Sequence, residues 1–237
     1  MQIDEPTSAK LPAPLWRLAF RAGFLAAGSF AVISMLRWLY WMHAPSAWGT
    51  GLSAQWWHAH EMVFGFAMPV VAGFLLSAVA TWTGTTGTRG LRLKLLFGLW
   101  LLARILLWFA TEGLPPAALW LAWAAEMAFL ALLAYELGSR VLAARQWRNV
   151  LFLPVLLALA VFNTAAYLES DQPARSTALY YAAVWMMALL VAIVGGRVIP
   201  LFTGNRLGLK IAPLPGWFEY AALLCICLLY TSDAADD

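Results

Sequence analysis

Two imidazoles, a carboxylate and a thioether fall within six consecutive residues, Trp57, His58, Ala59, His60, Glu61 and Met62, at the mouth of an apolar run that carries no charge. Imidazole suits copper, iron and zinc, and thioether favours Cu(I), so the segment is chemically coherent as a copper or haem site. Its spacing restricts how it would work. Inside a helix, two residues of separation turn His58 and His60 about 200° apart, whereas His58 and Glu61, three apart, share a face. Either the chain is still extended at His58, which aligns both rings on one ion, or each histidine serves a different centre. In the second case Glu61 would accept the spare N–H of His58 and fix its tautomer. The plainer alternative is that His and Glu side chains at a membrane surface meet water and headgroups. A zinc-protease HExxH motif is excluded, because Phe64 stands where its second histidine belongs. Cys225 and Cys227, two apart, form neither a CxxC motif nor a disulfide framework.

Two further arginines and one acid bear on chemistry. Arg104 and Glu126 interrupt otherwise apolar stretches joined by a short connection, so their helices pack antiparallel. Counted from that connection at 1.5 Å per residue, they lie roughly 10 and 15 Å deep, a gap an arginine stem spans, and an ion pair is expected. Such a pair either fixes helix packing or serves proton or ligand traffic. The segment GGRVIPLFTGN sets Arg197 between Gly195–Gly196 and Pro200; Arg197 could hold an anionic group such as a haem propionate or simply anchor the helix, and Pro200 is expected to end it. Pro69 is expected to kink the helix that follows the histidines. Arg21 and Arg37 flank an apolar stretch and are expected to snorkel to opposite surfaces.

The elements that must position these groups follow from composition. Of 237 residues, 63% are hydrophobic and only 11% charged, and the mean hydropathy is +0.74, far outside the soluble range. A hydrocarbon core of about 30 Å needs about 20 apolar helical residues. Such stretches occur at 18–41, 57–83, 91–111, 116–137, 150–168 and 177–202, giving six spanning helices. They are apolar all round rather than alternating as barrel strands would, so the fold is an all-α transmembrane bundle whose immediate partner is the lipid bilayer, not nucleic acid.

Lys10, Arg17, Arg21, Arg89, Arg92, Lys94, Arg140, Arg145, Arg148, Arg206 and Lys210 fall in alternate connections, which places those loops and the N-terminus on the cytoplasmic side. All three histidines, His43, His58 and His60, then sit near the outer surface, among the many Trp and Tyr residues of an interfacial belt. Residues 1–17 read as a cytosolic lead and 18–215 as the six-helix domain. Residues 216–237 read as a seventh helix cut short by a polar, acidic tail, as in a chain whose natural sequence continues.

The stretch WHAHEMVFGFAMPVVAGFLLSAVATWTG, the FRAGF start, the LLAR element ending at Arg104 and GGRVIPLFTGN together resemble the NnrS family of bacterial inner-membrane proteins, over about residues 15–220. The resemblance implies a haem- and copper-containing multipass protein of about twelve spans, linked to nitric oxide metabolism and resistance to nitrosative stress, with nitric oxide or a redox partner as its counterpart. His58, His60 and Glu61 match the family's HAHE, and Gly195, Gly196, Arg197 and Pro200 its helix-six motif; Arg104 and Glu126 fall where the family often has an Arg and an acid. On that resemblance His58 and His60 are the expected haem or copper ligands and Arg197 a cofactor contact. A transporter built around the buried charge pair, with no bound metal, is the alternative.

Overall fold

A computed structural model describes residues 12–49, 51–113 and 115–208. The described residues form an all-helical bundle with six helices long and apolar enough to cross a membrane. These are α1 (Ala19–His43), α2 (Ala54–Thr83), α3 (Leu91–Ala110), α4 (Pro116–Ala143), α5 (Phe152–Leu168) and α6 (Pro173–Leu207). The cysteines, the tail and the proposed seventh helix lie outside the described residues.

Short connections make each helix antiparallel to the next, and contacts are densest for α1 with α2, α3 with α4 and α5 with α6. The α2 helix is central: it is the most buried of the six, and Met68, Ala72, Leu75, Leu76 and Val79 are sealed along it. Close approach of α1 depends on Gly23, where a Cβ would run into the backbone of Pro69 and Gly73. The start of α1 is held from the same neighbour. Ser77 on α2 accepts the Phe20 N–H at 3.0 Å and donates to the Gly73 carbonyl at 2.8 Å.

Starts and ends alternate, so the bundle has two faces. Arg17, Arg21, Arg89, Arg92, Lys94, Arg140, Arg145, Arg148, Arg197 and Arg206 gather at one, here the basic face. At the opposite face the described cations are Arg37 and Arg175. On the basic face, buried Glu136 accepts from Thr88 at 2.8 Å, Arg92 at 3.2 Å and Arg140 at 2.8 Å, which ties the α2–α3 connection to α4.

Three expectations are corrected here. Pro200 does not end its helix; α6 continues to Leu207. Pro200 is accommodated within the helix, a tolerance common in membrane helices. The α4 helix runs past residue 137 to Ala143, so Arg140 is helical rather than in a loop. Arg37 does not snorkel. It is buried against Trp108, Trp48 and Trp57, whose ring centres lie 3.8, 4.6 and 4.9 Å from its guanidinium carbon. It also bonds Thr111 and reaches Glu112 at 3.1 Å, so rings and acceptors from the α3 end replace water.

Candidate functional site, a buried polar cluster on a π turn

Helix α2 changes register where its chemistry begins. Ala54–His60 is α-helical, with Ser53 as the N-cap accepting the Trp56 N–H at 3.2 Å. Glu61–Ala67 is a π turn, and α geometry resumes at Met68. The N–H of Met68 still reaches back five residues to the Val63 carbonyl, but Pro69 has no N–H with which to continue that pattern. Pro69 therefore bounds a π turn instead of producing the simple kink expected from sequence. Its missing N–H would also have been the α-helical partner of the Gly65 carbonyl. Trp100 on α3 supplies a donor there instead, Nε1–H to the Gly65 oxygen at 3.1 Å. π turns of this kind recur at functional sites.

The turn brings His60 and Glu61 into the bundle interior, both with no exposed surface. The expectation that His60 lies near the outer surface is thereby corrected, because α2 starts three residues earlier than expected and His60 is already about 9 Å along it. Arg104 on α3 donates from Nη1 to Glu61 Oε2 at 2.6 Å and sets Nη2 against Glu126 Oε1 on α4. The other oxygen of Glu126, Oε2, accepts from Asn163 Nδ2 at 2.8 Å and from the Tyr167 hydroxyl at 3.0 Å, both on α5. His60 Nε2 lies 3.0 Å from Asn163 Oδ1 and 3.2 Å from Glu126 Oε2. The imidazole is stacked between Trp56 (4.9 Å, 5°) and Phe64 (5.0 Å, 30°), with Tyr167 and Tyr180 edge-on. Gly65 makes the room: a Cβ there would overlap the Glu61 carboxylate and the Phe30 ring.

The other singled-out residues lie elsewhere. His58 is helical, not extended, so it faces away from His60 and stacks on Trp38 of α1 at 4.0 Å and 19°. Glu61 turns to Arg104 and not to His58, whose Nδ1 is buried with no hydrogen-bond partner. His43 is exposed, and its Nδ1 lies 3.0 Å from the Leu39 carbonyl. Arg197 donates to Asn149 Oδ1 at 2.6 Å and to the Arg148 carbonyl at 3.0 Å on the basic face. It lies 17 residues beyond Tyr180 on α6, roughly 26 Å along the axis. One porphyrin cannot join it to His60.

Among the described residues, no group of three or more His, Cys, Asp or Glu is arranged to hold a metal ion. Arg104 already occupies the space between the two carboxylates that flank His60. His58 differs: it is part-exposed and no carboxylate among the described residues lies against it, while its buried Nδ1 lacks a protein partner. Asn163 and Tyr167 are not singled out by the sequence, and Tyr180 reads there only as one of the interfacial belt residues, whereas it is buried. Asn163 had a signal, a lone amide after twelve nearly unbroken apolar residues, and Tyr167 follows four residues later on the same face.

These features define a class, a multipass α-helical membrane protein with a sealed acid–base cluster inside its bundle. Within that class the chain belongs to the NnrS family: the family model described as NnrS protein matches residues 14–235, most of the chain. No curated protein and no solved structure matches it.

Proposed function

We propose that this NnrS-family protein binds haem or copper at the face opposite the basic one, and acts in nitric oxide metabolism or resistance to nitrosative stress in the bacterial inner membrane. The basic face is then cytoplasmic, with the N-terminus on that side. Family membership supports the cofactor class, and the observation that carries the assignment is the state of His58. Its ring is oriented by Trp38, the residue is part-exposed at the start of α2, and its buried Nδ1 has no protein partner. Such a ring fits as one ligand, and further ligands come from outside the described set. His60 does not fit, since Asn163, Glu126 and Glu61 surround its nitrogens. Haem or copper held at His58 would supply nitric oxide binding and one-electron transfer.

The test is a reduced-minus-oxidised visible spectrum with metal analysis on purified protein. His58→Ala is expected to lose the Soret band or the copper, and His60→Gln to keep it where the protein folds. An unchanged spectrum in His58→Ala sinks the assignment. A second reading, a transporter with no metal, is favoured by the buried charge cluster itself, because ionisable groups inside a bundle mark ion or substrate pathways. Protein taken from its own membrane with neither haem nor copper would favour that reading.

A further inference from the structure

We propose that the cluster is a proton-binding site, with one proton carried by Glu61 and directed at His60 Nδ1. The inference requires no bound metal and stands apart from the ligand assignment at His58.

The bonding pattern fixes the hydrogens in sequence. Asn163 donates Nδ2–H to the Glu126 carboxylate at 2.8 Å, and the reversed amide would set two acceptors against each other. Asn163 therefore presents its Oδ1 to His60 Nε2 at 3.0 Å, so Nε2 carries the hydrogen. In the neutral ring Nδ1 is then an acceptor. It faces Glu61 Oε1 at 3.7 Å, and both atoms are buried without a hydrogen-bond partner. Two lone pairs facing each other inside a bundle are unfavourable. A single proton on Glu61 Oε1 relieves both.

Charge leads to the same place. Glu126 has Arg104 beside one oxygen and donors from Asn163 and Tyr167 on the other, the surroundings of an ionised carboxylate. Arg104 and Glu126 cancel, and a second carboxylate would leave a net negative charge among residues at most 4% exposed. His60 is the one neighbour that could supply a cation instead, but an imidazolium would set two more buried ions in the bundle where a neutral ring and a neutral acid set none. Among the described residues, the remaining elements bring no Lys or Arg into contact with Glu61 beyond Arg104. Helix α1 presents Phe30, while its Arg37 is engaged with Glu112; α5 and α6 present Tyr167 and Tyr180. With Glu61 neutral the cluster sums to zero. Releasing that proton would leave one uncompensated charge in the bundle, so at this site a proton and a countercharge move together.

Infrared spectroscopy of the full chain at neutral pH tests this. The wild type is expected to show a protonated-carboxyl C=O band that shifts in D2O, is lost in Glu61→Gln and persists in Glu136→Gln. Arg104→Gln, which removes the cation, is expected to add a second such band as Glu126 takes up a proton. Absence of the band in wild type overturns the proposal, as does its persistence in Glu61→Gln. Should Glu61→Gln fail to fold, Glu61→Asp, which keeps a carboxyl group beside Arg104, decides it: the band is expected to move in frequency, and an unmoved band overturns the assignment to Glu61. Where it folds, an unchanged melting temperature fits the replacement of one neutral group by another.

Discussion

Arg37 and Arg104 are both withdrawn from water, at 8% and 4% exposure, yet the bundle accommodates them by different means. Arg37 lies at the end of the bundle, where three indole rings surround its guanidinium and half-exposed Glu112 completes the pairing. Arg104 lies in the interior, where the compensation comes from Glu126 and Glu61. Aromatic faces attract a cation without carrying net charge. Carboxylates compensate it in whole units, and two of them against one guanidinium leave a unit over. The first arrangement is therefore a clamp, and the second leaves room for a proton.

The largest expected effect separates the two centres directly. Arg104→Leu removes the cation beside Glu126 and is expected to cost about 3–5 kcal/mol, read as loss of folded protein in denaturant titrations in detergent. Adding Glu126→Leu is expected to restore part of that loss, because the pair is then removed as a unit. Next comes Arg37→Leu, expected to cost about 2 kcal/mol in the same titration, since the indoles stay packed and Glu112 turns to water. Equal losses for Arg37→Leu and Arg104→Leu would break the comparison, because both charges would then be held in equivalent surroundings.

A smaller effect probes the notch that admits the carboxylate. Gly65→Ala places a methyl group where the Glu61 carboxylate and Phe30 ring now lie, and is expected to cost about 1–3 kcal/mol as both give way. Gly28 has nothing near its missing Cβ, so Gly28→Ala should be neutral or slightly stabilising. Similar losses at the two positions would remove the argument for a dedicated space beside Arg104.

The sequence made much of this legible, and the failures are local. Six helices follow from apolar length alone, because a bilayer leaves little choice of structure. Arg104 and Glu126 could be placed near one another by counting from their common loop, since helical rise is constant. Glu61 and His60 were harder, because a π turn alters the register from which facing residues are counted, and only Pro69 hints at it. Arg37 misled because its position near a helix end fits snorkelling, while the tryptophans around it come from three separate segments. Asn163 was legible in principle. Its chemistry depends on two partners from different helices, His60 and Glu126, and no local pattern encodes that meeting.

The smallest expected effect concerns the π turn that carries the acid–base centre. Trp100 packs edge-on against Phe30 at 5.7 Å and 83°, and its Nε1–H serves the Gly65 carbonyl that Pro69 leaves without an α-helical donor. Trp100→Phe keeps a ring in that place and removes the N–H, so the expected cost is about 1 kcal/mol, the usual worth of one hydrogen bond. Adding Pro69→Ala returns a backbone N–H at residue 69 and should recover most of the loss in a thermal melt. If it does not, the loss arises from ring packing, and the π turn is held by the Glu61–Arg104 pair rather than by the Gly65 carbonyl. The acid–base centre would then shape its own helix, whereas the Arg37 clamp only fastens the end of one.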